Sequence, residues 1–217
     1  MKKKILSLTL VVCLLAIAVV GGTLAYFTDT DNVATNTFTV GDVKIKLDET
    51  DVNLYGVKDG NTRVATNEYK LIPGHTYVKD PMVTVEGDSE EAYVRMFVTI
   101  KDMKDLKAAL GDDFLPQYFV EGWDSSKWIS TEVITPSDNG DTLTYEFRYY
   151  KTVSTVDGGN LELEPLFTSF KLPGTVTNDQ VAKLEELEIV VTAQAIQADG
   201  FAGPDAAFGE LPAVPAV

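Results

Sequence analysis

The sequence predicts an all-β chain: a jelly-roll-like antiparallel β-sandwich with one or two short helices, preceded by an N-terminal signal helix. Three observations predict it. Apolar and polar residues alternate along several segments, the pattern of strands with one buried face. Gly, Pro, Asn and Asp clusters separate these segments as turns do. The first 25 residues have a charged start, an apolar run and a small-residue end, the three parts of a secretory signal.

The elements follow in chain order. Lys2, Lys3 and Lys4 precede an apolar run from Ile5 to Val20, which Gly21 and Gly22 break. Thr23 and Ala25 then supply the small −3 and −1 residues of a cut before Tyr26. Through Ala25 the apolar stretch is also just long enough to span a bilayer, so a retained anchor is the other reading of the same run. Cleavage leaves 192 of 217 residues and removes Cys13, the only cysteine. The mature chain then has no disulfide or thiol chemistry and depends on its core. Cleavage also removes three Lys, leaving 15 basic against 33 acidic residues, a net charge of −18. So acidic a secreted chain is repelled by nucleic acid and anionic lipid, so the expectation is no nucleic-acid partner and membrane contact only through the uncleaved precursor.

Beyond the cut, Val43, Ile45 and Leu47 alternate with Lys44 and Lys46. Val94, Met96, Val98 and Ile100 share one face, opposite Tyr93, Arg95, Phe97 and Thr99. Leu143, Tyr145, Phe147 and Tyr149 form another face, and Leu187, Ile189, Val191, Ala193 and Ala195 a long last one. Shorter strands are expected near Glu68–Ile72, Met82–Glu86, Trp128–Ile134 and Pro165–Leu172. Turns are expected at Asp59-Gly60, Pro73-Gly74, Glu86-Gly87-Asp88, Asn139-Gly140-Asp141, Asp157-Gly158-Gly159-Asn160 and Pro173-Gly174. Two helices interrupt: Asp102–Leu110, stopped by Gly111, and one behind the capping start Thr177-Asn178-Asp179-Gln180. The organisation expected is a signal peptide (1–25), an arm (26–40), a sandwich domain (41–199) and a Pro/Ala/Gly-rich tail (200–217) that is disordered or loosely docked.

Catalytic chemistry finds little to stand on. His75 is the only histidine and sits in the turn Pro73-Gly74-His75. A zinc peptidase helix of the H-E-x-x-H kind needs two imidazoles, and no serine lies in a nucleophile-elbow context. Asp29-Thr30-Asp31-Asn32 starts like a calcium loop but has Ala34 at position six and Val40 at position twelve. Trp123 and Trp128 could stack on sugars from a loop or pack on the core as a hairpin does. No cofactor and no metal are expected.

The arm behind the cut, Tyr26 to Val40, is rich in Tyr, Phe, Thr and Val and becomes a free end on processing. Such a strand folds back on its own domain or adds to a neighbour's sheet, where main-chain hydrogen bonds give affinity. A head-to-tail contact of that kind generates open filaments.

Gly21 to Asp29, Asn36 to Val43, Leu71-Ile72-Pro73-Gly74 with Lys79-Asp80, and Val190 to Ala198 resemble the TasA/camelysin family of Gram-positive bacteria. These blocks frame most of the chain, while residues 101–175 match no named pattern. The resemblance implies export through a dedicated signal peptidase and a jelly roll that builds extracellular biofilm-matrix fibres by donor-strand exchange. The contacting arm residues would be Tyr26, Phe27, Thr28, Asp29, Val33 and Phe38. The partners would be further copies of the chain, the signal peptidase and an accessory anchoring protein. Some members are described as zinc metalloproteases, a label that transfers to no residue here.

Overall fold

A computed structural model describes residues 43–111, 120–134, 141–156, 158–184 and 187–213. The signal segment and the arm, including Thr23, Ala25, Tyr26, Phe27, Thr28, Asp29, Val33 and Phe38, lie outside the described residues.

The elements run β1 (Ile45–Val52), β2 (Lys58–Val64), β3 (Thr76–Val78), β4 (Met82–Val85), β5 (Ala92–Ile100), α1 (Met103–Leu110), β6 (Val120–Glu121), β7 (Trp128–Ile134), β8 (Leu143–Tyr149), β9 (Leu161–Glu162), β10 (Ser169–Lys171), α2 (Asn178–Val181), β11 (Ile189–Gln197) and α3 (Pro204–Phe208). They pair, always antiparallel, into sheets ordered β2-β1-β4-β9, β3-β10-β6 and β11-β5-β8-β7. This is the antiparallel sandwich the alternation predicts. Val43 just ahead of β1, Ile45 and Leu47 on β1 and Val83 and Val85 on β4 pack across from Val94, Met96, Val98, Val191 and Ala193. Trp128, Leu166 and Phe167 complete that core. A second cluster, around Tyr77, Leu106 and Phe170, seals the end where α1 docks. Among the described residues no helix is long and apolar enough to cross a membrane.

Both helical expectations hold. α1 occupies Met103–Leu110 with Gly111 at its end. Thr177 caps α2 through a reciprocal capping box with Gln180. Other expectations need correction. Glu68–Ile72 is not a strand, because its backbone is satisfied elsewhere. The Lys70 N–H donates to the Leu54 carbonyl, the Ile72 N–H donates to the Tyr77 hydroxyl, and that hydroxyl donates to the Lys70 carbonyl. The strand falls earlier, at β2, where Asp59-Gly60 looked like a turn. β2 is polar and exposed, so no alternation marks it. Pro165–Leu172 shrinks to Ser169–Lys171, since Leu166 and Phe167 are committed to the core.

The tail is corrected as well. Residues 200–213 are packed on the outer face of β5 and β11: Ala207, Phe208 and Leu211 are buried against Ile196, with Tyr93 and Phe201 alongside. Arg95 fixes them from below. Its guanidinium lies 4.8 Å from the Phe97 ring and 4.4 Å from the Phe208 ring. It donates to the Gln194 side-chain oxygen at 2.8 Å and to the Pro212 carbonyl at 3.0 Å. Burial pushes this guanidinium down to about 10, against the support of Glu146.

Candidate functional site

β1 and β11 are on different sheets and face each other across one flank of the sandwich. Among the described residues β11 is the outermost strand of its sheet. Between them lies a cleft of about 660 Å³, bordered by Leu47, Asp48 and Glu49, by residues 65–71, by Lys79 and Phe170, and by Leu187 to Val191. Behind it is an apolar space of about 250 Å³ walled by Val98, Ile100, Tyr145, Phe147 and Phe167. Lys79, Phe170, Leu187 and Ile189 border both. The chain enters the described fold at Val43, directly before β1.

The β1 wall is polar where a strand between two others would ordinarily be apolar. Asp48, Glu49 and Thr50 are all buried. Burying carboxylates costs several kcal/mol each unless they are paired, roughly, so each has partners. Arg63 on β2 donates to Asp48 at 2.5 Å and to Asp80 at 3.0 Å, and Lys46 meets Asp48 at 2.8 Å. Burial alone would lower the Arg63 guanidinium, but its bonds and charges with Asp48 and Asp80 outweigh that and raise it. Asp80 also accepts the Thr50 N–H and hydroxyl, at 2.6 and 2.8 Å. Glu49 accepts from Lys79 at 2.7 Å and from the Asn67 amide at 3.0 Å. The Lys79 ammonium lies 5.6 Å from the centre of the Tyr69 ring. Burial first, and then the Glu49 charge, push the Tyr69 hydroxyl far up, so it stays protonated and donates to the Val78 carbonyl.

The other sequence candidates are scattered. His75 follows its turn and its Nε2 lies 2.8 Å from the Tyr55 carbonyl, with the ring edge-on to Tyr77. Trp128 is fully buried and its indole N–H donates to the Glu164 carbonyl. Trp123 is partly exposed, donates to the Trp128 carbonyl and meets Phe147 edge-on, so the pair forms hairpin packing and not a shared flat platform. Sequence reading missed Glu49, Arg63, Asn67 and Lys79. The available signal was the break in alternation at Asp48-Glu49, two acids pointing to opposite faces in mid-strand, which demands a cation on each side.

A family model described as camelysin metallo-endopeptidase matches residues 1–121, more than half of the chain. No curated protein and no solved structure matches it. The metal in that description finds no fitting donors among the described residues. They contain no group of three or more His, Cys, Asp or Glu side chains arranged to hold an ion. The nearest gathering of acids, Asp48, Glu49 and Asp80, is taken up by Arg63, Lys46 and Lys79.

Proposed function

We propose that this chain, which belongs to the TasA/camelysin family, is an exported structural subunit of extracellular matrix fibres. In this reading it is cleaved between Ala25 and Tyr26 and polymerises head to tail, the arm Tyr26–Phe38 of one copy adding a strand to the next. The family is one of secreted or cell-surface proteins, which suits the signal segment. The observation that carries the reading is the cleft between β1 and β11. It is a gap between two sheets, apolar along β11 and beside Phe170, at the outermost strand of its sheet among the described residues, and a strand is the element that fills such a flank. The strand-prone arm lies immediately ahead of Val43, which borders the same core. No residue is assigned a catalytic role.

Negative-stain microscopy of protein beginning at Tyr26 tests the proposal, beside a variant lacking Tyr26–Asn36. The expected result is fibres from the first and folded monomers, by circular dichroism, from the second. Normal fibres from the shortened chain would sink the strand-exchange mechanism. The family description favours a second reading, a peptidase. Casein digestion that stops on adding chelator would support it.

A further inference from the structure

Among the described residues that border the cleft, Lys79 is a buried cation whose partners do not use up its donors. The Lys79 side chain is about 10% exposed, and its ammonium has three N–H groups. Among the described residues Glu49 is its only hydrogen-bond acceptor, with the Tyr69 ring as a further contact. Two donors therefore remain on the boundary between the outer cleft and the apolar space behind it. They need oxygens, but not another charge, because Glu49 already neutralises Lys79. Of the acids that border the cleft, Asp48 is paired with Lys46 and Arg63, Glu188 with Lys101 and Glu49 with Lys79, so a further carboxylate entering beside Lys79 would be buried without a counter-ion of its own.

We infer that Lys79 is a positioning residue: its remaining N–H groups take neutral oxygens of the strand that fills the cleft, and Glu49 beside it turns carboxylates away. This rests on the proposed entry of the arm into the cleft, and it selects which face of the arm goes in. Residues two apart share a strand face. Tyr26, Thr28, Thr30 and Asn32 form a charge-free face, and Phe27, Asp29, Asp31 and Val33 the opposite one. The charge-free face goes inward. A slip of one residue turns Asp29 and Asp31 toward Glu49, so the buried pair fixes register as well as side.

The test keeps net charge constant and leaves the domain untouched. In the mature chain, Thr28→Asp and Thr30→Asp are combined with Asp29→Thr and Asp31→Thr, and fibre elongation is followed by light scattering calibrated with microscopy. The exchanged arm is expected to elongate at least about tenfold more slowly than the natural one, as like-charge juxtaposition requires. Adding Glu49→Gln should recover most of that loss, because an arm carboxylate then becomes the counter-ion of Lys79. The same Glu49→Gln change with the natural arm should slow growth. An exchanged arm that grows at the natural rate overturns the inference, as does a Glu49→Gln effect equal on both arms. If the Glu49→Gln chain does not fold, the comparison of the two arms decides alone. A natural chain that forms no fibres, or forms them without its arm, defeats the parent reading and this one together. Arm-dependent fibres indifferent to the exchange defeat only this one.

Discussion

Phe208 tests whether the C-terminal segment belongs to the fold. Its side chain is 3% exposed, packed with Ile196, Ala207 and Leu211. Returning a Phe side chain to water costs about 1.5–3 kcal/mol, and the cavity left by Phe208→Ala raises the total to about 3–5 kcal/mol. The ring also lies 4.4 Å from the Arg95 guanidinium carbon and 5.2 Å from that of Arg148. Phe208→Leu retains most of the buried area but loses those cation–π contacts, for about 1–2 kcal/mol. Asp205 touches Arg148 from the same segment but is 91% exposed, so Asp205→Ala should change little. Urea unfolding followed by circular dichroism measures all three. For a chain of this size each kcal/mol moves Tm by about 2–4 °C, so Phe208→Ala should melt roughly 6–20 °C lower. Undocking of the segment alone would cap the loss and open residues near Gly200 to protease before global unfolding. A Phe208→Ala change below about 0.5 kcal/mol, the size of an ordinary surface substitution, with no new cleavage, would refute the packing described here.

Gly56 has φ +66°, and a Cβ there would meet Tyr77 at 2.7 Å, whereas Gly60 at φ +75° faces open space. Gly56→Ala should therefore cost about 2–4 kcal/mol and Gly60→Ala about 1–2, read from the same urea curves. The Tyr149 hydroxyl donates to Glu164 and holds that carboxyl below its ordinary range. A lowered folded value means stability present above the ordinary carboxylate pKa and lost as pH falls through the folded one. Tyr149→Phe should thus cost about 0.5–1 kcal/mol near neutral pH, and progressively less in acid, Glu164 being largely exposed. His75→Ala should cost about 0.5–1.5 kcal/mol through the lost bond to Tyr55 and leave fibre formation intact. A hydrolytic rate that vanishes with it would favour the peptidase instead.

The strands that could be read from the sequence were those whose apolar and polar residues alternate. β8 shows it: Tyr145 and Phe147 pack against the apolar clusters, while Glu146 and Arg148 alternate with them on the face that the C-terminal segment covers. β2 was illegible because it carries almost no apolar residues and exists as the hairpin partner of β1. The tail was misread for a different reason. Its Pro and Gly argue against a helix, and only Arg95 and Phe97 on β5 show that a face is waiting to be covered. Arg95 sits on the outward side of its strand, where a charged residue looks solvated, and nothing local shows that Phe208 will stack on it. The cleft was hidden similarly. Lys79-Asp80 reads as two surface charges until Glu49 and Arg63 arrive from strands nearby in space, 30 and 17 residues away in sequence.

The same residues bear on how copies of a chain with a net charge of −15 could associate at all. Broad contact between two such surfaces would bring unpaired carboxylates together, and salt only screens that beyond about 8–10 Å. A strand entering a cleft avoids most of it, because its affinity comes from main-chain bonds, each worth on the order of 1 kcal/mol net, and from apolar burial. On the β1 wall the charges also cancel locally. Lys46, Arg63 and Lys79 face Asp48, Glu49 and Asp80 at 3.0 Å or less. An approaching arm therefore meets neutralised pairs there, in a chain whose overall charge is strongly negative. Under the proposed reading, that is why buried ion pairs stand where an apolar strand would be more stable. They lower the electrostatic barrier at the one place where a like-charged copy has to come close, and they confine the tolerated contact to a strand whose inward face carries no charge.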